Sequence, residues 1–145
     1  MGAGTTALWA GWFCWAVALS GYDIHQRRLP NWLTLPGAIG ALVFATAAGR
    51  GGPALCGAAA LTAVYLLVHL AAPAALGAGD VKLAGGLGAL TGFFGIDVWL
   101  LAAVAAPLLT AGWALIARAA RGARTVPHGP SMCLACVTAV ALAAA

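Results

Sequence analysis

The 145 residues contain three acids, Asp23, Asp80 and Asp97, and no glutamate. Asp23 and Asp80 are the pair whose type and placement could do chemistry. Each stands at the end of an apolar run, 57 positions from the other. A charged side chain at the centre of a bilayer costs roughly 2.5–3.5 kcal/mol on insertion scales, so a chain this apolar retains few without a reason. Two carboxylates within a few ångströms of each other do not both ionise, and such a pair holds one proton between them. The ionised member can take a proton from water as that water attacks an amide carbonyl. The protonated member can polarise the carbonyl oxygen and then help the amine leave. Titration then belongs to the pair, not to either residue. Ordinary roles also stay open: Asp23 as a loop residue, and Asp80 as a helix N-terminal residue favoured by the helix dipole. Asp97, in a short turn between apolar runs, reads as a solvated turn residue.

The elements that would position these aspartates follow from composition. Hydrophobic residues make up 63% of the chain and charged residues 7%, with 20 glycines and a mean hydropathy of +0.99. Soluble domains carry about 25% charged residues, so soluble enzymes, nucleic-acid readers and disordered tails are excluded. The expectation is an all-α, polytopic membrane bundle of about six transmembrane helices forming a single integral-membrane domain over residues 1–145. The expected spans are 3–22, 33–49, 54–76, 79–94, 98–117 and 131–145. The last is short, since 15 residues rise about 22 Å against a hydrocarbon core of about 30 Å. Loops after spans one, three and five hold Arg27, Arg28, Lys82, Arg118, Arg121 and Arg124, and those after spans two and four hold Arg50 alone. Positive charge collects on the cytoplasmic side of membrane proteins. The N-terminus is therefore expected outside, with both aspartates at the cytoplasmic face of a multi-pass plasma or inner-membrane protein. The net charge of +4 is a topology signal on this reading, with lipid and not nucleic acid as the surrounding partner. Ala16-Val-Ala18 resembles a signal-peptidase site, but no basic residue precedes it, so an uncleaved first span is expected.

Smaller features refine the picture. Gly77-Ala78-Gly79 before Asp80 reads as a turn in which glycines permit positive φ and close helix approach. Gly85, Gly86 and Gly88 continue a small-residue face suited to packing in lipid. Cys14, Cys56, Cys133 and Cys136 are expected to be small buried apolar residues. The lone Cys-x-x-Cys lacks a second pair, and His128 beside it makes a poor cage, so no metal is expected. His25 reads as a solvated loop residue and His69 as a neutral, interhelically hydrogen-bonded one. Trp9, Trp12 and Trp15 share a helical stripe and read as interface anchors. Arg118, Arg121 and Arg124 extend one helix into the headgroups.

Three stretches, in order, carry a resemblance. Asp23-Ile-His-Gln-Arg-Arg-Leu-Pro-Asn31, Gly77-Ala-Gly-Asp-Val-Lys-Leu83 and Val126-Pro-His-Gly-Pro130 resemble motifs of the type IV prepilin peptidases, aspartic proteases of the Gly-x-Gly-Asp class. The resemblance covers nearly the whole chain. It implies an endopeptidase cleaving the leader of prepilin or pseudopilin substrates, whose short basic leader precedes an apolar helical segment, with no cofactor. It makes Asp23 and Asp80 the catalytic dyad. Gly77, Gly79, Lys82, Arg27, Arg28, Pro30, Asn31, Pro127, Gly129 and Pro130 would support the dyad or line the substrate site, Lys82 electrostatically and without touching Asp80. Many bacterial members also carry a cysteine-rich cytoplasmic insertion and methylate the new N-terminus. Only about ten residues separate spans one and two here. That gap speaks against N-methylation and matches the short, peptidase-only branch.

Two other functions fit the same residues. Asp23 and Asp80 could bind protons or cations in a transporter subunit, although a transport acid is expected near the bilayer midplane. A catalytically silent scaffold of a pilus or secretion assembly is the other. The sequence leaves the oligomeric state open.

Overall fold

The computed structural model of the chain describes residues 3–26, 29–121 and 126–144. The described residues form six helices and no strand: α1 (Ala3–Gln26), α2 (Asn31–Ala47), α3 (Gly51–Ala71), α4 (Ala78–Phe94), α5 (Ile96–Arg121) and α6 (Gly129–Ala144). Neighbours in sequence run antiparallel, so the C-terminal ends of α1, α3 and α5 share one end of the bundle with the starts of α2, α4 and α6. Hydrogen bonds at that end join Asn31 to Lys82, Tyr65 to His128 and Asp23 to Gly129.

Local chemistry sets the breaks. Pro30 caps α2 in an extended conformation, and its carbonyl accepts from the amides of Leu33 and Thr34 at 3.0 and 3.1 Å. Gly49 and Gly95 take positive φ, +74° and +128°, where a side chain would strain the backbone. Gly95 is the single residue between α4 and α5, so the expected three-residue turn is shorter, and Asp97 sits exposed in the first turn of α5. There the helix dipole favours its charge.

α4 is the central helix, and every residue from Gly86 to Gly92 is buried. Its glycines let the α3 backbone come close. A Cβ on Gly88 would lie 2.5 Å from the Gly57 carbonyl oxygen, and one on Gly92 would lie 2.7 Å from that of Pro53. Trp99 closes the seam by donating to the Gly57 carbonyl at 3.0 Å. Trp15 is not an interface anchor. Its indole donates to the Leu33 carbonyl at 2.8 Å and its ring packs on the core, joining α1 to α2.

The outer surface is apolar. Leu67, Leu70, Leu115 and Ile116 are each about two-thirds exposed, at 67–70%. α3 and the Ile96–Ala120 stretch of α5 are long and apolar enough to cross a membrane, while α2 and α6 are shorter apolar helices. Cys133 and Cys136 are buried as expected, but Cys14 and Cys56 lie on the outer surface.

Candidate active site

Asp23 lies in the last turns of α1, which continues four residues past the expected span end at Tyr22; it is a helix residue, not a loop residue, as is His25. The extension aims Asp23 at α6. Its carboxylate is 7% exposed, and Oδ2 accepts the Gly129 amide proton at 2.9 Å. A Cβ at position 129 would come within 2.7 Å of that oxygen, so a side chain there would displace the Asp23 carboxylate.

Asp80 is the third residue of α4 and is 8% exposed. Its Oδ2 accepts from the Gly77 amide at 3.3 Å, and its own amide donates to the Gly77 carbonyl at 3.1 Å. This is half of a capping box, since glycine has no side chain to complete the other half. The aspartate therefore caps the helix that carries it. Gly77 has φ −72°, and Ala78 and Gly79 are already helical, so the expected positive φ before Asp80 is absent. Close approach is what these glycines supply. A Cβ on Gly79 would lie 3.1 Å from the Cβ of buried Leu29.

The two aspartates act on each other electrostatically, and the fields of both converge on the Cys133 thiol. Helices α1 and α4 thus deliver one buried carboxylate each to the same end of the bundle, with α6 between them. A Born-type penalty opposes two full charges in such a place, and a proton on either carboxylate relieves it.

Lys82 and Asn31 meet directly, Lys82 Nζ donating to Asn31 Oδ1 at 2.8 Å across the starts of α4 and α2. Pro30 is the cap of α2, and Pro127 and Pro130 flank the turn that presents Gly129, all three half-buried. Arg27, Arg28 and Arg124 lie outside the described residues. His69 Nδ1 bonds the Leu76 carbonyl at 2.7 Å, so it ties down the loop after its own helix instead of bridging to another. Leu29, against which Gly79 packs, and Tyr65 and Thr110, which both bond the His128 ring beside Gly129, were not among the expected site residues. A leucine in a basic stretch was a readable signal for Leu29; the other two sit in apolar runs that mark them only as span residues.

Residues 10–116 match the model of the type IV leader peptidase family. The chain belongs to that family. A prepilin leader peptidase/N-methyltransferase of Xanthomonas campestris pv. campestris is 33% identical over 132 residues. The match takes in 84% of this chain and 45% of the relative, so the chain spans under half of that protein's length. No solved structure matches it. The family match takes in Asp23 and Asp80 with their flanking motifs and stops before the 126–130 segment.

Proposed function

We propose that the chain is a membrane-embedded aspartic endopeptidase that removes the leader of type IV prepilin-like or pseudopilin substrates at the cytoplasmic face. The observation that carries this reading is the pair of buried, electrostatically coupled aspartates contributed by α1 and α4 in a chain of the type IV leader peptidase family.

Each carboxylate is oriented through Oδ2 by a glycine amide. In the resting pair one proton is shared. The ionised aspartate takes a proton from water as the water oxygen attacks the scissile carbonyl carbon. The protonated aspartate hydrogen-bonds the carbonyl oxygen as it gains negative charge. Collapse of the tetrahedral intermediate breaks the C–N bond while the proton taken from water passes to the leaving amine. Carboxylates at the bundle end have water within reach, which the hydrocarbon core would deny them. An apolar groove between α1 and α6, lined by Val17, Gly21, Ile24, Pro130 and Leu134, opens beside the Asp23 turn and suits the apolar helical segment that follows a prepilin leader. Six helices crossing the bilayer, with the aspartates inside, complete the picture.

The relative's printed N-methyltransferase activity is not carried over. Four residues separate α1 from α2, fewer than the ten expected, and peptide hydrolysis is the chemistry that the aspartates explain.

The test is co-expression with a candidate prepilin, read by immunoblot, for wild type, Asp23→Asn and Asp80→Asn. An asparagine oxygen can still accept from the Gly129 or Gly77 amide, so both variants keep the local fold and lose the acid. Wild type should shorten the pilin and neither variant should. Cleavage by either variant would remove that aspartate from the mechanism.

A further inference from the structure

The turn that presents Gly129 to Asp23 is held by a chain of hydrogen bonds through His128. Thr110 Oγ1, on α5, donates to the Ala106 carbonyl at 3.0 Å. A hydroxyl has one proton, so with that proton on the Ala106 carbonyl the short contact between Thr110 Oγ1 and His128 Nδ1 assigns the imidazole as donor. A neutral ring protonated at Nδ1 has a bare Nε2. That atom then accepts the phenolic proton of Tyr65, on α3, at 3.0 Å. The Tyr65 and His128 rings lie 5.6 Å apart, centroid to centroid. The His128 carbonyl accepts the Met132 amide at 3.1 Å, so the residue is also bound to the first turn of α6. The His128 side chain thus connects α3 to α5 and its carbonyl holds the start of α6, and the next amide along the chain is the one on Asp23 Oδ2.

We propose that His128, as its neutral Nδ1–H tautomer clamped between Thr110 and Tyr65, is a positioning residue that sets the Gly129 amide against the Asp23 carboxylate. Burial pushes the imidazole below its ordinary value and so favours the neutral ring. The ionisable groups around the clamp agree with the assignment. Tyr65 on α3 faces Nε2 directly and lies in the field of Asp80 on α4. Asp23 on α1 meets the clamp through Gly129, and Cys133 follows on α6 within the field of both aspartates. A neutral His128 leaves those carboxylates to each other, where a cation would compete for them.

The catalytic half of this proposal rests on the peptidase reading, and the tautomer half does not. Histidine-labelled ¹⁵N spectra of the whole protein in micelles, with His128 assigned by its loss in His128→Asn, should show a protonated Nδ1 and a bare Nε2. Tyr65→Phe should shift the Nε2 resonance. In the prepilin assay, His128→Phe keeps the ring's bulk and should lose about 10-fold or more in kcat, the scale of a displaced reacting group, with KM within about twofold. His128→Asn retains a donor toward Thr110 and should recover part of the loss. An Nε2–H tautomer, or a His128→Phe protein with wild-type kcat, would overturn the clamp. A wild-type protein that leaves the prepilin whole would instead overturn the peptidase reading and the catalytic role together. A failed clamp is told apart from this because it leaves wild type active.

Discussion

At the scale of single residues, the aspartates were legible because carboxylates are rare and costly in an apolar chain, and two at span ends narrow the candidates to one pair. The place of Asp80 in the first turn of a helix was legible too, but the amide that each carboxylate takes was not. Asp80 caps α4 through the Gly77 amide, a structural role compatible with the proposed catalysis, and Asp23 takes its amide from a residue 106 positions away. The glycines around them divide into two kinds. Gly77 has an ordinary φ, and a Cβ there would sit 3.5 Å from Asp80 Oδ2, normal van der Waals contact. Gly129 and Gly79 have no such space. Gly129→Ala would push against the tip of the Asp23 carboxylate, which can swing away cheaply and leave the position that the proposed chemistry needs. Its kcat should fall about 10-fold or more. Its melting temperature should move by no more than about 3 °C, near the shift that 1 kcal/mol causes in a chain of this size. Gly77→Ala should cost little in either measurement, and Gly79→Ala, crowding Leu29, should fall between them. Kinetics and thermal melts of the three variants in one detergent check the order.

At the scale of elements, all six helices were readable as apolar runs, and their ends shifted by a few residues for identifiable reasons. The polar residues Asp23, His25 and Gln26 ended the first expected span, yet α1 carries them because the turn at the bundle end has α6 to pack on. The small-residue face on α4 was visible. Its partner, Gly57 of α3, was not, since helix pairing depends on facing positions that one sequence does not align. The seam is tested by adding a methyl group. Gly88→Ala would bring a Cβ within 2.5 Å of the Gly57 carbonyl oxygen and 2.9 Å of the Leu61 Cβ. Backbone stands on one side of that contact, so the helices must separate, and overpacking of this kind costs about 1–3 kcal/mol. Gly112→Ala in α5 meets nothing within 4 Å, and there the helix preference of alanine should stabilise by about 0.5–1 kcal/mol. Opposite shifts in thermal unfolding would establish α3–α4 packing as the stabilising contact. Equal shifts would refute it.

At the scale of the whole molecule, composition and the order of helices arrange the site, because six alternating helices bring the ends of α1, α3 and α5 together with the starts of α2, α4 and α6. Basic residues follow the same division. Lys82 and Arg118 lie at the aspartate end, while Arg50 lies at the other, stacked 5.5 Å from the centroid of the Phe93 ring. Positive charge resists translocation, so the aspartate end should remain in the cytoplasm and Arg50 should cross. Single cysteines in a background with Cys14, Cys56, Cys133 and Cys136 replaced make this measurable. His25→Cys lies two residues after Asp23 on an exposed helix end, and Arg50→Cys is exposed at the opposite end. A membrane-impermeant maleimide should label Arg50→Cys in right-side-out vesicles and His25→Cys only in inverted ones. Labelling of both from one side would break the alternation of helices through the bilayer. The reverse pattern would place the dyad outside, away from the basic leader of a newly made prepilin, and would remove the proposed substrate along with the orientation.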